Sequence, residues 1–184
     1  AGALAWALFI LSQQPEIVSR MRDEIKLYQE PTGLDIDCVK KLNFVRNVFK
    51  ETLRLYPPLA FMPRVALEPG RIGDETFPRG ALIMISPWLI HRHYKLWKNA
   101  DRFDPDRFDR DSDQEAISSA YLPFGMGPRV CIGSAFALIE ATLILARLID
   151  RYDFHATDPV RVKPAARLTT RSSNGISAYI NLRG

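Results

Sequence analysis

The stretch that most constrains this chain is Phe124–Gly133, FGMGPRVCIG, in which a single cysteine stands among glycines. It separates a segment rich in proline, glycine and aspartate from Ile132–Tyr152, a mostly apolar stretch that we expect to be a helix. Glycine adopts backbone angles that other residues avoid and lets the backbone approach a flat ligand closely. Cys131 would stand at the start of the helix, where aligned backbone N–H groups favour a thiolate and can donate hydrogen bonds to its sulfur.

On these grounds alone, three interpretations of Cys131 remain open. It can be the ligand of a bound group, with Arg129 offering a fixed positive charge to an acidic part of that group. It can also be an ordinary buried cysteine, with glycines that only form a turn. A zinc site with Cys38, His91 and His93 is the third interpretation, although this spacing is not that of a structural zinc module.

The pattern Phe-x-x-Gly-x-Arg-x-Cys-x-Gly is matched at all five fixed positions, and it strongly resembles the haem-binding signature of the cytochrome P450 family. The resemblance implies haem b (iron protoporphyrin IX), with Cys131 as the axial thiolate ligand of the iron and Arg129 on a haem propionate. A thiolate ligand donates electron density to the iron and favours cleavage of the O–O bond. The same resemblance places further cofactor-binding residues at Arg64, Phe124, Gly125 and Gly133.

Two other segments resemble elements of that family. Glu51 and Arg54 are three residues apart, which puts both side chains on one face of a helix, in a Glu-x-x-Arg pattern. The segment Phe103–Phe108, FDPDRF, resembles the Pro-Glu-Arg-Phe element, with Asp106 in place of the usual Glu. The resemblance implies that Glu51, Arg54 and Arg107 form a buried, fully hydrogen-bonded charge cluster with a structural role.

Position in the family's order also implies a substrate pocket. Arg64 would reach a haem propionate where its strand begins, and the residues just before it would face the substrate, as would Asn174 in a turn at Ser173–Ile176. Those preceding residues are Leu59, Ala60, Phe61 and Met62. Leucine, phenylalanine and methionine suit an apolar substrate.

Hydrophobic periodicity and turn residues predict a fold that is mainly α with small β-sheets (α+β). Asn174–Gly175 predicts a hairpin that joins strands at 169–171 and 176–180. Residues 95–128 predict one long irregular segment, with a solvated acidic loop at 104–115. Helices are expected at 3–13, from 15 onward, at 37–55 with a break near 43, and at 132–152, and short strands at 64–67, 76–77 and 81–85.

The resemblance covers nearly the whole chain and implies that residues 1–184 are the C-terminal portion of a single domain of the family, beginning within its distal helix. In the family, an acidic residue followed by threonine on that helix delivers protons to bound dioxygen. Ala1–Trp6, AGALAW, resembles the sequence just after this pair and does not contain it. We therefore expect no catalytic residue of this kind in the chain, and little or no turnover by the isolated chain.

Charge and cysteine content argue against a nucleic-acid-binding protein and against a disulfide-rich protein. Lys and Arg total 25 against 21 Asp and Glu, a net charge of +4 without a basic block, which favours a mixed, solvated surface and no nucleic-acid partner. Two cysteines do not make a disulfide framework, so we expect a reducing, cytoplasmic location, which an upstream membrane anchor would change. The apolar run Ala1–Leu11 is too short to span a bilayer.

The function implied by the resemblance is a monooxygenase. It would insert one oxygen atom from O₂ into a small apolar organic substrate, with electrons from a donor protein such as a ferredoxin, a flavodoxin or a reductase. A haem-thiolate peroxygenase or isomerase, which needs no redox partner, is one alternative, and a non-catalytic haem-binding protein is another. The intact set of haem-side motifs argues against the last.

Overall fold

The computed structural model describes residues 1–29, 33–166 and 169–183, which form a mainly helical fold with four two-stranded antiparallel sheets. The predicted fold class, mainly α with small β-sheets, is confirmed. The helices are α1 (Gly2–Leu11), α2 (Pro15–Tyr28), α3 (Ile36–Lys41), α4 (Asn43–Leu55), α5 (Pro87–Ile90), α6 (Gln114–Ala120) and α7 (Ser134–Arg151). The strands are β1 (Met62–Val65), β2 (Gly70–Ile72), β3 (Glu75–Phe77), β4 (Leu82–Ile85), β5 (Tyr152–Ala156), β6 (Pro164–Ala166), β7 (Thr170–Ser172) and β8 (Ala178–Leu182).

Four helices, α1, α2, α4 and α7, pack around the main hydrophobic core. Because α1 is apolar on nearly every side, it needs cover all round, and its C-terminal half, including Trp6, is buried. Val48 of α4 and Leu145 of α7 lie fully buried at the centre. This packing carries the last two turns of α4, with Glu51 and Arg54, into the interior of the protein.

Both ends of α4 are set by residues outside it. The helix has no side-chain cap at its own N-cap position, and the carboxylate of Glu24 on α2 accepts the N–H groups of Phe44 and Val45 at 2.8 and 2.9 Å. These are among the N–H groups that a helix start leaves without an internal partner. At the other end, Pro57 disfavours a helical backbone at the residue before it, and Tyr56 leaves the helix with φ −127° and ψ 65°.

The predicted hairpin around Asn174–Gly175 is wrong. Gly175 does adopt a positive φ of 81°, as a turn requires, but the flanking strands take other partners. β7 pairs with β6, and β8 pairs with β5 in the register Tyr152↔Leu182 to Ala156↔Ala178. Each cross-strand pair adds to sheet stability, so the longer partner that β5 offers directly after α7 prevails over the local turn.

Residues 95–128 are more ordered than predicted, because they contain α6 and three short 3₁₀ turns. The acidic loop that we expected to be solvated is largely paired. Asp104 accepts from Arg110 at 2.8 Å, and Asp106 accepts from Arg20 on α2 at 2.9 and 2.6 Å. Residues 109–111 and 114–115 are exposed, as predicted, but the ion pairs were not predicted, because composition reveals the carboxylates of this segment and not the arginines that the fold brings to them.

We predict that Glu24→Ala destabilises the protein by about 1–2 kcal/mol, since the first turn of α4 loses its only side-chain acceptor among the described residues and that acceptor is a charged one. The change is measured as the free energy of unfolding in urea, followed by circular dichroism. Glu68→Ala, in the exposed loop between β1 and β2, is the matched control. Equal stability of the two variants would contradict the capping role.

Candidate functional site

A buried ion cluster joins α4 to the segment that follows β4. Arg54 holds Glu51 with two hydrogen bonds, Nε to Oε2 at 2.8 Å and Nη2 to Oε1 at 2.9 Å. Arg107 donates its Nε to the same Oε1 at 3.0 Å. All three side chains, which we call the ion cluster, are at most 1% exposed. The structure therefore brings together the trio that the resemblance implied.

Arg54 uses its remaining donors on backbone carbonyls far along the chain. Nη1 donates to the carbonyls of His91 and Ala100 at 2.7 and 2.6 Å, and Nη2 donates to that of Arg102 at 3.0 Å. The backbone N–H of Asp104 in turn donates to Glu51 at 2.9 Å. A single guanidinium thus fixes three points of the segment 91–102 against the end of α4.

The charge balance of the ion cluster is uneven, with two guanidinium groups facing one carboxylate. The additional positive charge is offset by carbonyl oxygens and by Asp113, whose Oδ1 lies 3.9 Å from Nη1 of Arg107. Among the described residues, Nη2 of Arg107 is buried without a hydrogen-bond partner, so the expectation that the ion cluster is fully hydrogen-bonded is wrong at this atom. Moving ions from water into the protein interior costs more free energy than the attraction within an isolated ion pair regains. We therefore expect such a cluster to fix the geometry of the segments that it joins rather than to add stability.

Cys131 lies in a loop of residues 122–133, the cysteine loop, which precedes α7. Its backbone N–H donates to the carbonyl of Phe124 at 2.9 Å, which closes the loop on itself. Gly125 and Gly127 have positive φ angles of 78° and 70°, a backbone conformation that favours glycine. α7 begins at Ser134, slightly later than predicted, and Cys131 stands before its first turn with an exposed side chain.

An open cavity of about 910 Å³ separates the cysteine loop from β1 and the residues before it. The cavity receives Cys131 and Arg129 from one side and Arg64 from the other. Its walls are mostly apolar. The sequence-predicted residues along these walls are Leu59, Phe61, Met62, Phe124 and Gly125.

Three predicted site residues lie elsewhere. Ala60 is buried, and its carbonyl accepts from the hydroxyl of Ser86 at 3.1 Å. Asn174 is exposed and donates its side-chain amide to the carbonyl of Arg161 at 2.8 Å, because the hairpin that was to carry it does not form. Gly133 caps α7 behind Cys131, with space for a Cβ 3.9 Å from the cysteine sulfur.

The residues around this cavity fit a haem. Cys131 presents a sulfur donor, and Arg64 and Arg129 offer guanidinium groups to acidic substituents at the edge of a flat cofactor. Leu59 and Phe61 are 41% and 46% exposed, which is high for apolar side chains that line the wall of a cavity. Apolar walls with a few converging polar groups are typical of cofactor sites.

A second cavity, of about 700 Å³, lies between the N-terminal part of α1 and β7. Pro58 lines both cavities, and its carbonyl accepts the backbone N–H of Thr170 at 2.8 Å. The hydroxyl of Thr170 is buried without a partner among the described residues. Sequence reasoning did not predict that Pro58 and Thr170 line a cavity. The two prolines before Leu59 are the sequence feature that could have indicated a sharp turn of the chain at the site.

The zinc interpretation of Cys38, His91, His93 and Cys131 finds no support. Both ring nitrogens of His91 are engaged with the backbone, Nδ1 with the carbonyl of Arg54 at 3.0 Å and Nε2 with the N–H of Leu122 at 2.8 Å. Within the described residues, no group of three or more histidine, cysteine, aspartate and glutamate side chains is placed to hold a metal ion.

The helices in residues 1–29, 33–166 and 169–183 include none with the length and apolar character needed to cross a membrane.

The family model described as Cytochrome P450 matches residues 1–177. Cytokinin hydroxylase of Arabidopsis thaliana is 36% identical over 96% of this chain and 34% of its own length. Cyclooctatin synthase of Streptomyces melanosporofaciens is 34% identical over 92% of this chain and 37% of its own length. The chain thus spans about a third of the length of the curated relatives it matches.

We predict that Glu51→Ala destabilises the protein by about 3–5 kcal/mol, since it leaves the charges of Arg54 and Arg107 buried without a counter-ion. Unfolding in urea measures the loss. Asp37→Ala, which breaks an exposed pair with Lys40, should leave the unfolding free energy unchanged within error. A loss for Glu51→Ala no larger than for this control would rule out the structural role of the ion cluster.

Proposed function

The chain belongs to the cytochrome P450 family, and we propose that it provides the haem-thiolate site of a monooxygenase. The observation that carries the proposal is the exposed thiol of Cys131, which faces a mostly apolar cavity shared with Arg64 and Arg129. When bound, haem supplies the activation of O₂, in which electrons from a donor protein allow one oxygen atom to enter an organic substrate.

The residues of this chain hold and orient the cofactor. Cys131 would bind the iron through its sulfur, and the hydrogen bond from its N–H to the carbonyl of Phe124 fixes the backbone that carries it. Arg129 and Arg64, which both line the cavity, would pair with the haem propionates. Gly125 has a positive φ of 78°, which favours glycine, and a Cβ there would lie 3.7 Å from both the sulfur of Met62 and the carbonyl of Arg129.

The substrate proposed for this site is a small apolar organic molecule. Leu59, Phe61 and Met62 present apolar side chains to the main cavity, and Pro58 connects this wall to the second cavity near Thr170. A relative named for hydroxylation, cytokinin hydroxylase, supports insertion of oxygen as the reaction type.

The remaining partners are O₂ and an electron-donor protein, a ferredoxin, a flavodoxin or a reductase. Turnover that requires the donor supports the monooxygenase, whereas turnover with hydrogen peroxide alone would favour a peroxygenase. The cytoplasmic location suggested by the low cysteine content stays a prediction.

We predict that the reduced, CO-bound holoprotein has a strongly red-shifted Soret band and that Cys131→Ser abolishes this band. The shift comes from thiolate ligation, which serine cannot supply. Cys38→Ala is the matched control, because it removes the chain's other cysteine, a residue of α3 that is buried in the main core and away from the cavity. An ordinary Soret band in the unmodified protein would overturn the proposed function.

We also predict that Arg129→Leu and Arg64→Leu each weaken haem binding by about tenfold or more, since each removes a charged hydrogen bond to a propionate. Titration of the apoprotein with haem measures the dissociation constant. Arg79→Leu, in the exposed turn between β3 and β4, should have no effect. If haem dimethyl ester, which lacks the carboxylates, binds the unmodified protein as tightly as haem does, then neither arginine contacts a propionate.

A further inference from the structure

His91 occupies a position between the ion cluster and the cysteine loop. It caps the C-terminal end of α5, it is fully buried, and its ring stacks on Tyr121 with centroids 5.6 Å apart and meets Trp97 edge-on. The carbonyl of His91 accepts from Arg54 at 2.7 Å. The residue thus has backbone contact with the ion cluster and side-chain contact with the start of the cysteine loop.

The contacts of the imidazole fix its protonation state. The N–H of Leu122 can only donate, so Nε2 of His91, 2.8 Å away, must carry a free lone pair. The proton therefore resides on Nδ1, which donates to the carbonyl of Arg54 at 3.0 Å. Only the neutral ring with its proton on Nδ1 makes both hydrogen bonds.

A continuous set of hydrogen bonds leads from this ring to Cys131. The carbonyl of Leu122 accepts the N–H of Gly125 at 3.2 Å, and the carbonyl of Phe124 accepts the N–H of Cys131 at 2.9 Å. Leu122 is the first residue of the cysteine loop, and its own N–H is bonded to His91 rather than to a backbone carbonyl. The ring is therefore the anchor of the loop on the side of the ion cluster.

We propose that His91 is a positioning residue that, as a neutral acceptor, holds the cysteine loop in register with the ion cluster, and that its protonation releases the loop. The proposal rests on the proposed function for its link to thiolate ligation. The hydrogen bonds of His91 with Arg54 and Leu122 are observed in this structure and do not depend on the proposed function.

The charges around His91 oppose protonation. The guanidinium groups of Arg54 and Arg92 face the ring, and Tyr121 is neutral because burial raises the pKa of its hydroxyl. Burial chiefly, aided by the two arginines, lowers the pKa of His91 from 6.5 to about 4. The anchor therefore contributes fully above pH 6.5, and its contribution is lost as the pH falls toward 4. The charged groups one layer further out are Glu51 and Arg107.

Two conservative variants distinguish the roles of the two ring nitrogens of His91. In His91→Gln the amide oxygen reaches the position of Nε2 and can accept from Leu122, but it does not titrate. In His91→Asn the shorter amide reaches the position of Nδ1 and leaves the N–H of Leu122 without an acceptor. Both variants remove the imidazole ring, so loss of stacking on Tyr121 affects them alike.

The readouts are hydrogen exchange of the Leu122 amide and the fraction of the CO-bound holoprotein with a red-shifted Soret band, from pH 7.5 to 3.5, a range that passes through the pKa of His91 at about 4. In His91→Asn we expect about tenfold or more loss of exchange protection and a reduced red-shifted fraction at every pH. In His91→Gln both should match the unmodified protein at pH 7.5 and persist at acidic pH, where the unmodified protein loses them. Indistinguishable behaviour of the two variants would overturn the proposal. His93→Gln, at an exposed histidine, is the control for general acid effects.

The unmodified protein tests the proposal even if neither variant folds. Acidification should reduce the exchange protection of Leu122 before that of Val48 and Leu145 in the helical core, and simultaneous loss would overturn the proposal. If the unmodified holoprotein shows no red-shifted band but Leu122 responds as expected, the proposed function fails while the role of His91 as the anchor of the loop stands.

Discussion

The two-point contact between Glu51 and Arg54 is the interaction on which the rest of the site depends. It uses one edge of the guanidinium and leaves the other free for carbonyls at positions 91, 100 and 102, while the second partner of the carboxylate, Arg107, comes from beyond them. The irregular connection at residues 91–102 is thereby bound to the end of α4 through three of its carbonyls. The same side chains in water would be worth little, since their effect comes from having no alternative partner in the interior.

The cofactor cavity is built on this fixed frame by two irregular segments that are each closed by backbone hydrogen bonds. The cysteine loop closes through Phe124 and Cys131, and the chain before β1 is tied to β7 through Pro58 and Thr170. Cys131, Arg129, Arg64 and the apolar wall therefore belong to the cysteine loop and to the chain around β1. Both of these segments are held by the hydrogen bonds just described. In the proposed haem-thiolate site, this arrangement would place the substrate wall on the same short segment as Arg64, which would hold one edge of the cofactor.

Sequence reasoning was sufficient where the chemistry is local. The three-residue spacing of Glu51 and Arg54 puts them on one helical face, and the glycines before Cys131 predict the unusual backbone angles that Gly125 and Gly127 adopt. Sequence reasoning failed where two strands that pair lie far apart in the chain. The turn at Asn174 has the right residues for a hairpin, yet β8 joins β5, a partner that local pattern cannot reveal. The role of His91 was equally hidden, because a buried histidine is identified by its neighbours in space, here Leu122 and Arg54.

The external cap of α4 has a consequence for how the molecule assembles. A helix of this length is marginal in isolation, and the groups that complete α4 come from Glu24 of α2 at one end and from the side chains of His91 and Arg92, which donate to the carbonyls of Arg54 and Leu55, at the other. Contacts between residues that are distant in the chain form slowly, because loop-closure entropy is lost before they are made. We therefore expect α2 and α4 to become stable together, since the cap of α4 exists only where α2 is docked. The frame of the site thereby depends on a carboxylate, Glu24 of α2, that meets α4 at the opposite end from Glu51 and Arg54.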